Sequence, residues 1–297
     1  METKLDKTRK SDIRDMLKAY CVQVGSQNKA ADILRGVSSA ILSNVASEKW
    51  EKIADRMWLN LEAQLRKLVG GQSMDCQWRG VQTKPYRDFV TLLGDAQGRS
   101  MSMAIIAPAG SGKSFAAREY AANNANVYYV LCKEGWKNKA FLTEMLRIMG
   151  RSAKVCENDN ESMFAEVVTE LKKQYKPLII WDEADKLHDE VMRKYIDLYN
   201  ELEDVCGLVM CATSYLETRI SNGADSGKRG YKEIKSRLGN RFVRLEQATK
   251  SDLQAICMAN GIENMIDIQT IINESEGDLR RVKRSINSIQ LANGTGN

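Results

Sequence analysis

Apolar positions along the chain change their period twice, and the changes divide it into three regions. From residue 11 to about residue 69 they recur three and four apart, the signature of short amphipathic helices, with glycines but no proline between them. Within this region Ser26 is placed to cap a helix running to Leu34, in which Ala30, Ala31 and Leu34 share a face and Ile33 lies at its edge. Gly36 permits a tight turn, Val37 plugs the core, and Ser38 can cap a second helix that carries Ile41, Leu42 and Val45 inward. Trp50 and Trp58 stand eight apart, the spacing of one helix face, and read as core residues.

From residue 101 the pattern shifts to short apolar runs, at 101–107, 127–132, 177–181, 207–211 and 241–245. Helical stretches at 140–149, 163–173 and 231–239 separate them. This alternation predicts an α/β fold, a parallel sheet with helices on both faces. Residues 247–290 return to helical spacing, with room for three helices. The expected domains are 1–70, all-α; 78–246, the α/β core; and 247–297, a small helical lid.

Chemistry concentrates at the ends of the apolar runs. The run at 101–107 leads into Pro108-Ala109-Gly110-Ser111-Gly112-Lys113-Ser114 and then an alanine-rich helix, the strand–loop–helix context of a phosphate-binding P-loop. Backbone N–H groups of such a loop wrap a phosphate, Gly110 and Gly112 allow close approach, Lys113 reaches the β/γ oxygens and Ser114 ligates Mg²⁺. Phe115 follows on the same turn. Ala107 stands where the usual pattern begins with glycine. The run at 177–181 ends in Asp182-Glu183-Ala184-Asp185. Asp182 is placed to hold Mg²⁺ through water, and Glu183 to polarise the water that attacks a γ-phosphate. ATP and Mg²⁺ are therefore the expected cofactors.

Composition narrows the class. At 297 residues and 43% hydrophobic the chain can bury a real core, and its charged start, METKLDKTRK, has no apolar stretch behind it. A cytoplasmic protein without membrane attachment is expected. Seven cysteines without a C-x-x-C pair suggest buried thiols rather than disulfides or zinc, and His188 is the only histidine. The net charge of +5 is uneven: eight Lys/Arg between Arg219 and Arg244 face only Asp225 and Glu233. Lys228, Arg229 and Lys232 in this stretch are candidates to meet phosphates, of nucleic acid or of a nucleotide on a neighbouring subunit.

Two resemblances follow from these residues. Residues 26–45 resemble the helix-turn-helix of Cro-type phage repressors, with Ala31 as the small residue of the first helix and Arg35-Gly36 lengthening the turn by one. The likeness implies a DNA-facing surface of Ser38, Ser39, Ala40, Ser43 and Asn44, with Lys29 beside it. Residues 78–292 resemble the AAA+ superfamily of P-loop NTPases. This implies a γ-phosphate sensor at Thr213 or Ser214, an arginine finger at Arg237 or Arg241 for a neighbouring subunit, and, in Glu276-Gly-Asp-Leu-Arg280, a nucleotide contact by Arg280. A helix-turn-helix in front of one AAA+ domain looks most like the family of phage Mu B transposition proteins. That family implies ATP-dependent homo-oligomers, ring or filament, on double-stranded DNA, target delivery to a DDE transposase, and hydrolysis stimulated by the partner. A helicase loader or replication initiator, and a nucleotide-gated repressor, are the alternatives.

Overall fold

The five apolar runs form one parallel sheet in the computed structural model, which describes residues 7–34, 36–69, 78–152 and 159–294. Arg35, Gly70, Gly71, Cys76 and Cys156 lie outside the described residues. The chain divides into two compact units, residues 1–78 and 79–297.

The first unit is helical: α1 (Lys7–Val24), α2 (Gln27–Ile33), α3 (Ser39–Ala46), a short 3₁₀ turn (Trp50–Lys52) and α4 (Asp55–Val69). The caps read from sequence are in place. Ser26 accepts a bond from the Lys29 N–H and Ser38 from the Ile41 N–H. The core joins Ile13 and Leu17 of α1 with Leu42 and Val45 of α3 and Trp58, Leu61 and Leu65 of α4. Although their spacing suggests one helix face, the two tryptophans do not share a helix. Trp50 sits in the 3₁₀ turn and the chain breaks at residues 53–54, so it meets Trp58 edge-on, at 5.9 Å between centroids. Folding back brings the rings together where helical periodicity would only have aligned them.

The second unit starts with α5 (Lys84–Gly98) and runs through β1 (Ser102–Ile106), α6 (Lys113–Asn123), β2 (Val127–Leu131), α7 (Asn138–Ile148), α8 (Asn160–Lys172) and β3 (Leu178–Asp182). It continues with α9 (Asp189–Leu202), β4 (Gly207–Ala212), α10 (Ser214–Asp225), α11 (Tyr231–Arg237) and β5 (Phe242–Arg244). Three helices close it: α12 (Lys250–Ala259), α13 (Met265–Ser275) and α14 (Leu279–Gly294). The strand order is β2-β3-β4-β1-β5. Strands buried on both faces alternate their side chains between two cores. Ile179, Trp181, Met210 and Ala212 face one, with α7 to α11; Leu178, Ile180, Val209 and Cys211 face the other, with α5 and α6. Among the described residues no helix is long and apolar enough to cross a membrane.

The basic stretch is less free than its composition suggests. Arg219 donates to the Asp185 carbonyl at 2.9 Å, the Asp189 carboxylate at 2.6 Å and the Tyr231 hydroxyl at 3.1 Å. Lys228 pairs with Asp189, and Arg244 with Glu217. Counting charges within residues 219–244 misses acids that α9 and the start of α10 bring alongside. Arg229 and Lys232 remain exposed.

Asp189 carries a testable pH dependence. Burial opposes its charge, but the donors Lys228, Tyr231 and Arg219 reverse that and hold its carboxyl well below the usual carboxylate range. A folded carboxyl that ionises more readily than the unfolded one stabilises fully above the ordinary pKa of about 4, and that stability is lost as pH falls through the lower folded value. Asp189→Asn is expected to cost about 2 kcal/mol at pH 7, reduced from a fully buried pair because the site is partly open to water. Urea unfolding at pH 7 and pH 3 checks it: the deficit should shrink at the lower pH, and a deficit equal at both would show that the charge does not act.

Candidate nucleotide site

The parallel register brings the reactive segments to one edge. Asp182 is level with Cys211, and Ala212 with Ile106, so the loop after β1, the acids after β3 and Thr213 after β4 all leave the sheet at its carboxyl end. In a sheet of this order ligands bind outside the carboxyl ends, where the strand order reverses. The loop stays tied to the sheet, since the Ala107 N–H donates to the Ala212 carbonyl at 3.0 Å. Ala107 needs no glycine's freedom, because it extends the strand.

Between residues 108 and 113 the backbone turns through left-handed conformations at Gly110 (φ 75°) and Gly112 (φ 87°), and Lys113 opens α6. Gly110 is also closed in by the lid. A β-carbon there would fall 2.0 Å from the Asp278 carboxylate, and the Leu279 N–H, at the start of α14, donates to the Gly110 carbonyl at 2.9 Å. Arg280 is therefore brought to the loop on the first turn of α14, with its side chain exposed. The Ser111 hydroxyl is buried and has no hydrogen-bond partner among the described residues, a deficit that a phosphate oxygen can satisfy. Lys113 is buried, Ser114 and Pro108 are half-buried, and Ala109 is exposed.

Across the loop Asp182 is fully buried. Its Oδ1 accepts from the Glu183 N–H at 3.0 Å and its Oδ2 from the Tyr129 hydroxyl at 2.8 Å. Burial, and then the Asp182 charge, push the Tyr129 phenol far above its ordinary range, so it stays a donor. Two bonds leave the carboxylate with lone pairs to spare, and with the Ser114 hydroxyl this donor set suits a hydrated Mg²⁺. Glu183 sits in the left-handed region at φ 56° and pairs with Lys186. A glutamate kept in that conformation beside a buried carboxylate is local backbone strain. Burial drives the thiols of Cys132 and Cys211, in the sheet below, well above their ordinary range; they are inert packing. The five described cysteines are all free thiols, and His188 is exposed.

Of the two sensor candidates, Thr213 has its hydroxyl engaged, donating to Asp185 at 3.1 Å, whereas Ser214 is exposed at the start of α10. Arg237 and Arg241 are not part of this edge. Arg237 lines a cavity of about 350 Å³ with Ser102, Tyr199 and Leu208, where β1 and β4 begin; its guanidinium lies 5.1 Å from the Tyr199 ring centre and its Nε is buried without a hydrogen-bond partner among the described residues. Arg241 is exposed. The candidates Lys29, Ser38, Ser39, Ser43 and Asn44 belong to the first unit, where the Ser38 hydroxyl caps α3.

Sequence reasoning missed the groups that hold these residues. Tyr129 and Asp185 are examples, and Asn260 is a third. Its amide accepts from the Arg79 N–H at 2.9 Å and donates to the Arg79 carbonyl at 3.1 Å, fastening the lid to the strap before α5. Gly80 follows in that strap, where a β-carbon would fall 2.7 Å from the Phe115 ring. Only Asp185, inside a motif, left a signal in the sequence.

Comparison with known proteins agrees with this geometry. The family model described as an AAA domain matches residues 96–220. The chain is 24% identical over 294 residues to the "ATP-dependent target DNA activator B" of Escherichia phage D108, covering 96% of this chain and 90% of that one. The protein of the same name from Escherichia phage Mu gives the same values. A Haemophilus influenzae "Mu-like prophage FluMu DNA transposition protein B" is 24% identical over 204 residues, 67% of this chain and 69% of that one. Among solved structures, the Aeropyrum pernix ORC1 protein in complex with DNA shares the fold at a TM-score of 0.50 and 14% identity, over 71% of this chain and 60% of that one. With a P-loop, a buried acidic strand end and a docked helical lid on this sheet, the chain has the α/β P-loop NTPase fold with an AAA domain, and it is similar along nearly its whole length to the phage Mu B proteins.

Proposed function

We propose that the chain binds Mg²⁺·ATP at this edge, assembles on double-stranded DNA in the ATP state, and delivers that DNA to a DDE transposase, whose contact stimulates hydrolysis and release. The observation that carries the reading is the convergence of Lys113, Ser114, Asp182, Glu183 and Thr213 at one strand edge in a chain similar along nearly its whole length to proteins named target DNA activators. Lys113 and the loop N–H groups neutralise phosphate charge, Ser114 and Asp182 hold the metal, and Glu183 orients water. Mg²⁺ held by Ser114 and Asp182 would offset the negative charge that develops on the phosphate. Arg237 or Arg241 is assigned as the finger directed at a neighbouring subunit; Arg241 is exposed, whereas Arg237 lies half-buried against Tyr199 and would have to leave that ring to reach one.

Each unit is assigned its own DNA contacts: α2 and α3 of the first through Lys29, Ser38, Ser39, Ser43 and Asn44, and the second through Arg229 and Lys232. Lys228, already paired with Asp189, contributes less. Co-sedimentation with long duplex DNA in ATP and in ADP tests the assembly: large DNA-bound species in ATP alone are expected. A small species binding short duplex equally in both nucleotides would point to a repressor instead. Replacing Arg229 and Lys232 by Gln is expected to flatten the dependence of log affinity on log salt by about 1.8, at about 0.9 per phosphate contact. An unchanged slope would remove both residues from the DNA surface.

A further inference from the structure

Asp182 closes β3 fully buried, and how its carboxylate is oriented decides whether it can serve a metal at all. The last torsion of an aspartate is broad and two-fold, so burial alone does not fix the plane of the carboxylate. One oxygen is held by the next residue's own N–H, at 3.0 Å. The other is held at 2.8 Å by a side chain from the neighbouring strand, the Tyr129 hydroxyl. β2 and β3 are parallel with Leu131 level with Asp182, which puts Tyr129 two residues short of the acid on the same side of the sheet. Two residues of strand span about 6.6 Å, a gap suited to the length of a tyrosine and beyond a serine or threonine. The guanidinium centre of Arg118, from the helix that begins at the P-loop, lies 6.0 Å from the Tyr129 ring centre. The phenol thus lies between the acid that ends β3 and the helix that follows the P-loop.

We propose that Tyr129 is a positioning residue for Mg²⁺: its hydroxyl fixes the Asp182 carboxylate in the plane that presents it to the hydrated ion. The inference rests on the Mg²⁺·ATP reading of the site. Partners that orient a metal-binding carboxylate typically change metal affinity by 10- to 100-fold when removed, and Asp182 acting through water places the effect at the lower end. In Tyr129→Phe the ring and its packing stay while the donor goes.

The experiment is a Mg²⁺ titration of the full chain with a fluorescent ATP analogue, alongside the affinity for the same analogue in EDTA. Tyr129→Phe is expected to raise the half-saturating Mg²⁺ concentration about tenfold and to leave the EDTA affinity unchanged. In an Asp182→Asn background the same substitution should add no further shift. A half-point equal to that of the parent chain, or an equal shift in the Asp182→Asn background, overturns the proposal. If Tyr129→Phe does not fold, 4-aminophenylalanine at position 129, a weaker donor of the same shape, replaces it. The half-point should then move the same way by a smaller factor, and an unmoved one overturns the proposal equally. Loss of Mg²⁺ dependence in the parent chain itself would instead strike the underlying reading of the site.

Discussion

Glu183→Gln is expected to bind ATP as tightly as the parent chain and to hydrolyse it about 10²- to 10⁴-fold more slowly, the usual contribution of a positioned general base. The split follows from the geometry. On the proposed function binding rests on the loop, Lys113 and the lid, whereas the Glu183 side chain pairs with Lys186 and its N–H donates to Asp182. Gln keeps the backbone N–H, so the Asp182 carboxylate is undisturbed. On the proposed function the variant should also remain on duplex DNA as long-lived assemblies, because release requires hydrolysis. Single-turnover hydrolysis beside equilibrium ATP binding separates the two steps. A variant that hydrolyses within threefold of the parent would remove Glu183 from the chemistry and leave another group, such as Asp185, to orient the water.

Gly110→Ala is expected to weaken ATP binding by about 10- to 300-fold. An L-residue at φ 75° costs about 1–2 kcal/mol, and the new β-carbon, 2.0 Å from the Asp278 carboxylate, forces α14 away from the loop. Retreat breaks the bond from the Leu279 N–H to the Gly110 carbonyl, worth about 0.5–1.5 kcal/mol, and the two costs together give the quoted range at 1.4 kcal/mol per tenfold. The double variant with Asp278→Ala tells the two apart. Removing the carboxylate should recover part of the affinity; no recovery would mean that the φ strain alone accounts for the loss and that lid contact is irrelevant to binding.

What the sequence revealed and what it concealed divide along sequence separation. The P-loop, the acidic strand end and the capped helices of the first unit are local patterns, a few residues of fixed spacing whose physics is complete within the segment. So are the five apolar runs that become the sheet. The bond from Tyr129 to Asp182 spans 53 positions, and that from Arg79 to Asn260 spans 181; only the folded sheet and lid make them neighbours. Charge shows the same limit. Residues 219–244 read as strongly basic because the acids that answer Arg219 and Lys228 lie at the start of α9. Trp50 and Trp58 read as one helix face because periodicity carries no information about the break between them. Arg237 and Arg241 were equivalent as letters, and burial against Tyr199 separates them.

The level alignment of Ile106, Ala212, Cys211 and Asp182 makes the sheet a ruler for the site, and a ruler tolerates no added graduations. One residue inserted within β4 would carry Thr213 about 3.3 Å past Asp185 and turn its side chain to the opposite face. The same insertion in the turn between α8 and β3, at the far end of the strands, would be absorbed by a loop. Length variation compatible with activity should therefore collect where strands begin and be absent where they end.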